Sequence, residues 1–69
     1  MINLTKKIGQ NIRRIRMEKN ITQHKLSLDA QISLSLLNWI EVGKRNNVTI
    51  LTLEKLANAL KVSLLKFLE

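Results

Sequence analysis

Sixty-nine residues with no cysteine describe one small domain, 1–69, whose core supplies only a few kcal/mol and which no disulfide or thiolate metal site can staple. Hydrophobic residues make up 45% of the chain and are spread evenly, which argues against a disordered basic tail. Twelve Lys plus Arg against five Asp plus Glu leave a formal charge of +7, which points to an anionic partner.

No apolar run approaches the ~18 residues that span a bilayer, and the charged amino end lacks a signal-peptide core, so a cytoplasmic location with no membrane partner is expected. Lys6, Lys7, Arg13, Arg14, Arg16, Lys19 and Lys25 all fall early in the chain, where Glu18 is the only acid. Such a concentration suits nucleic acid or anionic lipid, the alternative being a merely solvated face.

The first segment, from about Asn3 to Glu18 or Lys19, places Leu4, Ile8, Ile12 and Ile15 on one helical stripe, with Asn20 as a left-handed stop. Thr22 caps a second helix of about eight residues that turns Leu26 and Ala30 inward. Gln31-Ile32 form a turn. Ser33 caps a third helix that runs to about Val42 and ends at Gly43. After the basic loop 44–48, Thr49 caps a fourth helix whose Ile50, Leu53, Leu56, Ala57 and Leu60 form a stripe. Ser63 then opens a last turn or two bearing Leu64, Leu65, Phe67 and Leu68. The expected fold is all-α, a compact bundle of five short helices.

Enzyme signatures are missing. His24 is the only histidine, the acids are scattered, and Gly9 and Gly43 lie too far apart for a phosphate-cradling loop. No catalysis, cofactor, metal or small-molecule ligand is expected. The informative unit is the second and third helices with the turn between them, because Leu26, Ala30, Ile32, Leu37 and Ile40 face inward and hold the third helix proud of the domain. The second helix starts Thr22-Gln23-His24-Lys25, where a soluble helix ordinarily prefers acids. That choice makes sense if a phosphate approaches the free amides, Thr22, Gln23 and Lys25.

The run ITQHKLSLDAQISLSLLNWIEVGKRNN, followed by TLEKLANALKVS, resembles the Cro and phage-repressor helix-turn-helix family, also called the XRE family, over residues 8 to 68. Its more specific elements are Thr22-Gln23, the Leu26 to Ala30 spacing, Ile32-Ser33, Ile40-Glu41, Gly43-Lys44 and the Leu56-Ala57 to Ala59-Leu60 pattern. The resemblance implies a lambda-repressor-like bundle, a third helix that reads double-stranded DNA, and a two-fold homodimer on a palindromic operator. It implies that Gln23 anchors phosphate and reaches a base, that Leu34, Ser35 and Trp39 face base edges with Asn38 beside them, and that Lys44, Arg45 and Asn46 grip phosphate. It also implies an Arg16–Glu41 ion pair that keeps Arg16 near the sugar-phosphate backbone. The chain departs from the family pattern at Gln31, where glycine is usual and where an unchanged turn requires a left-handed geometry at some cost, at His24-Lys25, where acids are usual, at Val48, and at the apolar Leu34 and Trp39.

Those two apolar residues exceed what one buried face of a short helix uses. In a major groove they would contact thymine methyl groups and sugar edges. Alternatively Trp39 folds back over the domain with its indole only partly buried, or Leu34 and Trp39 anchor a protein partner, which would make the chain a protein-interaction module. Leu64, Leu65, Phe67 and Leu68 form a second apolar set, suited to a homodimer contact, although Phe67 and Leu68 equally suit the monomer core.

Overall fold

The computed structural model describes residues 3–44 and 48–69. Among these residues the chain forms α1 (Leu4–Glu18), α2 (Gln23–Ala30), α3 (Leu34–Val42), α4 (Ile50–Leu60) and a C-terminal 3-10 helix (Leu64–Leu68). The fold is all-helical, with a helix-turn-helix formed by α2 and α3.

Each helix begins the same way. The side chains of Asn3, Thr22, Ser33, Thr49 and Ser63 accept from the backbone N–H of Lys6, Lys25, Leu36, Thr52 and Leu65, at 3.0–3.2 Å. One otherwise unpaired donor is satisfied at each start, worth about 1 kcal/mol for such caps.

The four α-helices also share one kind of end. A residue in the left-handed region follows each helix: Asn20 (φ 58), Gln31 (φ 59), Gly43 (φ 78) and Lys61 (φ 59). Each belongs to a Schellman motif, in which two successive N–H groups turn back onto the last carbonyls. Asn20 and Ile21 donate to Met17 and Arg16, Gln31 and Ile32 to Leu28 and Ser27, Gly43 and Lys44 to Ile40 and Trp39, and Lys61 and Val62 to Asn58 and Ala57. Only Gly43 adopts this geometry without a Cβ penalty. The expectation that Gln31 takes glycine's conformation in the turn agrees with its φ and ψ of 59 and 43.

Between these stops, Ile12, Ile15, Leu26, Leu37, Ile40, Leu53, Leu56, Leu60 and Phe67 make the buried core. α1 packs on α3 and on the 3-10 helix, while α2 packs on α3 and α4. Leu4 and Ile50, placed on the inward stripes by their spacing, are instead exposed. As the first residues of α1 and α4 they reach past the core and line an apolar groove of about 380 Å³ with Ile8, Val48, Leu53 and Leu68.

The fifth segment differs in two respects from what its sequence suggests. Its five residues wind as a 3-10 helix rather than an α-helix, a common form for a terminal turn of that length. Phe67, expected at a dimer surface, is 0% exposed. Its ring completes the core, and its carbonyl accepts from Asn11 Nδ2 at 2.8 Å. Leu64 is half-buried against the same core, so only Leu65 and Leu68 of the four remain largely open.

Gly9 sits where α1 crosses α3. A Cβ there would run into the Ile40 carbonyl oxygen and stand 3.2 Å from that of Glu41. Those atoms belong to a helical backbone and cannot rotate aside, so the approach of α1 to α3 depends on this glycine.

Two stability outcomes are expected. Gly9→Ala should destabilise the fold by about 1–3 kcal/mol or more, as overpacking does, seen as a lower urea midpoint. Gln31→Gly should stabilise it by about 1 kcal/mol, raising Tm by roughly 4–8 °C in a thermal melt followed by circular dichroism, and an unchanged or lower Tm would show that the left-handed turn is unstrained.

Candidate nucleic-acid interface

The orientation of α3 depends on a buried polar cluster. Arg16, on α1, donates from Nε to Glu41 Oε2 at 2.7 Å and from a terminal nitrogen to Oε1 at 3.0 Å, while the other terminal nitrogen donates to the Ile21 carbonyl at 2.7 Å. Arg16 is 9% and Glu41 4% exposed. Glu41 Oε1 also accepts from Gln23 Nε2 at 3.0 Å, and Asn38 Nδ2 lies 3.5 Å from Gln23 Oε1. The cluster thus ties α1, the loop after it, the start of α2 and the outer face of α3 together. Among the described residues no buried side-chain nitrogen or oxygen lacks a partner.

With Leu37, Ile40 and Glu41 turned inward, the other side of α3 is open. Leu34, Ser35, Asn38, Trp39 and Val42 are all exposed, Leu34 at 44% and Trp39 at 50%. At 100° per residue these five span an arc of about 140°, free of acids. Half of the Trp39 surface remains in solvent, so part of its indole is open to a partner. Val42 belongs to the same face, and its sequence position alone, next to the glycine stop, did not single it out.

The groups expected to meet phosphate divide into three sets. Thr22, Lys25 and Lys44 are exposed. Thr22 accepts the cap bond from Lys25 N–H, which leaves its hydroxyl hydrogen free to donate outward. Lys25 makes an exposed i,i+4 pair with Asp29 at 3.2 Å, a contact weak enough to yield to a phosphate. Lys44 follows Gly43 in the Schellman motif; the corresponding residues after α1, α2 and α4 are Ile21, Ile32 and Val62, all packed on the core. Only the motif that ends α3 has a cation at this position.

Arg16 and Gln23 form the second set, and both make hydrogen bonds within the domain. Arg16 is buried, and three of its five N–H groups donate to Glu41 and the Ile21 carbonyl, which ties α1 to α3. Gln23 is partly buried, with its amide turned toward Glu41 and Asn38. Arg45 and Asn46, the third set, lie outside the described residues. Lys6, to which the sequence assigned no role in this loop, packs beside Gly43: a Cβ on that glycine would stand 3.1 Å from Lys6 Cα. The contact links residues 37 apart in the chain, a distance over which spacing carries no signal.

An acid-free helix face framed by exposed cations, on a helix-turn-helix fold, defines a DNA-reading module. The comparisons agree. A family profile described as a helix-turn-helix domain matches residues 9–68. The uncharacterized HTH-type transcriptional regulator y4dJ of Sinorhizobium fredii is 39% identical over 62 residues, covering 90% of this chain and 79% of that protein. The restriction-modification controller protein C.AhdI from Aeromonas hydrophila superposes with a TM-score of 0.87 at 30% identity, covering 91% of this chain and 94% of its own. SinR, a master regulator of biofilm formation solved in complex with DNA, superposes with a TM-score of 0.84 at 35% identity, covering 90% of this chain and 98% of its own. The chain belongs to the helix-turn-helix family of the XRE type, and it is a DNA-binding transcription regulator.

The buried ion pair has a testable signature. Glu41→Leu alone should cost about 3–5 kcal/mol, because it strands a buried guanidinium, whereas Arg16→Met combined with Glu41→Leu should recover most of that loss. Urea unfolding of the two single variants and the double decides it; a double variant no more stable than Glu41→Leu would show that the pair itself supplies the stability.

Proposed function

We propose that the protein binds a short palindromic operator as a homodimer, laying α3 of each protomer in successive major grooves about 34 Å apart. The observation that carries this reading is the acid-free outer face of α3, with Leu34, Ser35, Asn38, Trp39 and Val42 exposed beside Thr22, Lys25 and Lys44. Ser35 and Asn38 supply hydrogen bonds to base edges. Leu34 and Trp39 supply apolar contacts to thymine methyl groups and sugars, and sequence-dependent DNA shape contributes the rest. Thr22, Lys25, Lys44, Arg45 and Asn46 hold the backbone.

The dimer contact in this reading uses Leu65 and Leu68 together with the groove edge formed by Leu4 and Ile50, apolar side chains that the monomer leaves exposed. Phe67 acts only from within, by holding the 3-10 helix in place. We assign the chain no enzymatic role and place its work in the cytoplasm, where the DNA is.

A protein partner for α3 is the second reading, favoured by three apolar residues, Leu34, Trp39 and Val42, on its open face. Salt separates the two. Operator affinity should fall by about 0.9 logarithmic units per log unit of salt for each phosphate contacted. Lys44→Gln and Arg45→Gln should weaken binding to every duplex and lower that slope by about one each, while Ser35→Ala should change sequence preference. Duplexes that bind no better than an inert polyanion, with Ser35→Ala matching the parent, would remove the DNA-reading assignment, and a monomeric mass on an asymmetric selected site would remove the dimer.

A further inference from the structure

We propose that the buried Glu41 carboxylate, acting through Gln23, fixes which end of the Asn38 amide is turned to the DNA and so makes Asn38 a reader of adenine; this rests on α3 entering the major groove. A side-chain amide has two ends of nearly the same size and opposite hydrogen-bonding sense, and its partners decide which way it points. Here the partners form a chain with one fixed end. Glu41, paired with the Arg16 guanidinium, can only accept. Its Oε1 lies 3.0 Å from Gln23, so the Gln23 end that meets it is the NH₂ group. The carbonyl oxygen of Gln23 is thereby turned to α3, where it lies 3.5 Å from Asn38 and can accept a hydrogen bond in turn. One N–H of Asn38 answers it.

Asn38 then offers an outside partner its Oδ1 as an acceptor and its second N–H as a donor, side by side on the open face of α3. Adenine presents the complement in the major groove, an N6 donor next to an N7 acceptor. Guanine presents two acceptors and thymine an acceptor beside a methyl group, so each meets Oδ1 with an oxygen. Cytosine, with its single N4 donor, is the second choice. Turning the Asn38 amide over to suit guanine would set its oxygen against that of Gln23. Turning Gln23 as well would set an oxygen against the carboxylate in the buried cluster, where an unpaired polar contact costs most. Gln23 is a positioning residue in this scheme and Asn38 the reading one.

Selection from random duplexes tests the scheme with the parent, Asn38→Ala, Gln23→Met and the double variant, each also melted to check folding. Methionine keeps the reach of glutamine and carries no amide polarity. The parent site should contain one adenine per half-site whose replacement by guanine weakens binding about tenfold or more. Asn38→Ala and Gln23→Met should each reduce that penalty at the same position to below about threefold, and the double variant should go no further than either. Affinity of Gln23→Met for non-specific duplex, and its salt slope, should match the parent.

A guanine or thymine preference at the Asn38-dependent position overturns the assignment. So does a Gln23→Met variant that keeps the full adenine preference, or one that weakens all duplexes alike, as a direct phosphate anchor would. Should Gln23→Met fail to fold, the parent and Asn38→Ala still decide the base. A parent with no preference at any position would instead defeat the DNA-reading assignment of α3, a result distinct from a readable site whose preference is indifferent to Gln23.

Discussion

The seating of α3 on the rest of the domain depends on a single buried carboxylate. Glu41 receives hydrogen bonds from Arg16 on α1 and Gln23 on α2, and so sets the roll of α3 about its own axis. Apolar packing alone specifies that roll poorly, since leucine and isoleucine cores tolerate repacking as long as volume is kept. An ion pair desolvated to this degree gives little net stability but imposes a strict geometry, because any arrangement that separates the partners leaves a charge unpaired. Gly9 supplies the matching steric limit: the backbones of α1 and α3 come so close that a methyl group would hold them apart.

The surface follows a different economy. None of the four α-helices has an acid in its first turn, and every cap is a neutral hydroxyl or amide. A free-standing domain would gain a few tenths of a kcal/mol per helix from an acid there. Forgoing that gain keeps the positive ends of the helices, and the +7 charge, available to a polyanion.

Local structure was largely legible in the sequence because its causes are local. A hydroxyl or amide before an apolar stripe marks each helix start, and Asn20 and Gly43 were readable as left-handed stops, whereas the left-handed turn at Gln31 was suggested only by likeness to a family with glycine there. Lys61 was not, since nothing about a lysine signals φ 59. Spacing also could not show that Leu4 and Ile50, though in register with their stripes, extend beyond the core, or that Phe67 turns inward from a short terminal turn. The Arg16–Glu41 pair spans 25 residues, and only likeness to a family suggested it. The Gln23 to Asn38 link and the bed that Lys6 makes for Gly43 join residues that no periodicity connects, and they became visible only in three dimensions.

The hydrogen bond from Asn11 to the Phe67 carbonyl also has a bearing on assembly. It fastens the carboxyl-terminal segment to α1, the same helix whose Arg16 steers α3. Any second subunit docking near Leu68 would therefore be surveyed from the same benchmark as α3. The pitch between two such helices along a duplex would be inherited through one stiff rod, with no pliable linker to absorb an error in it.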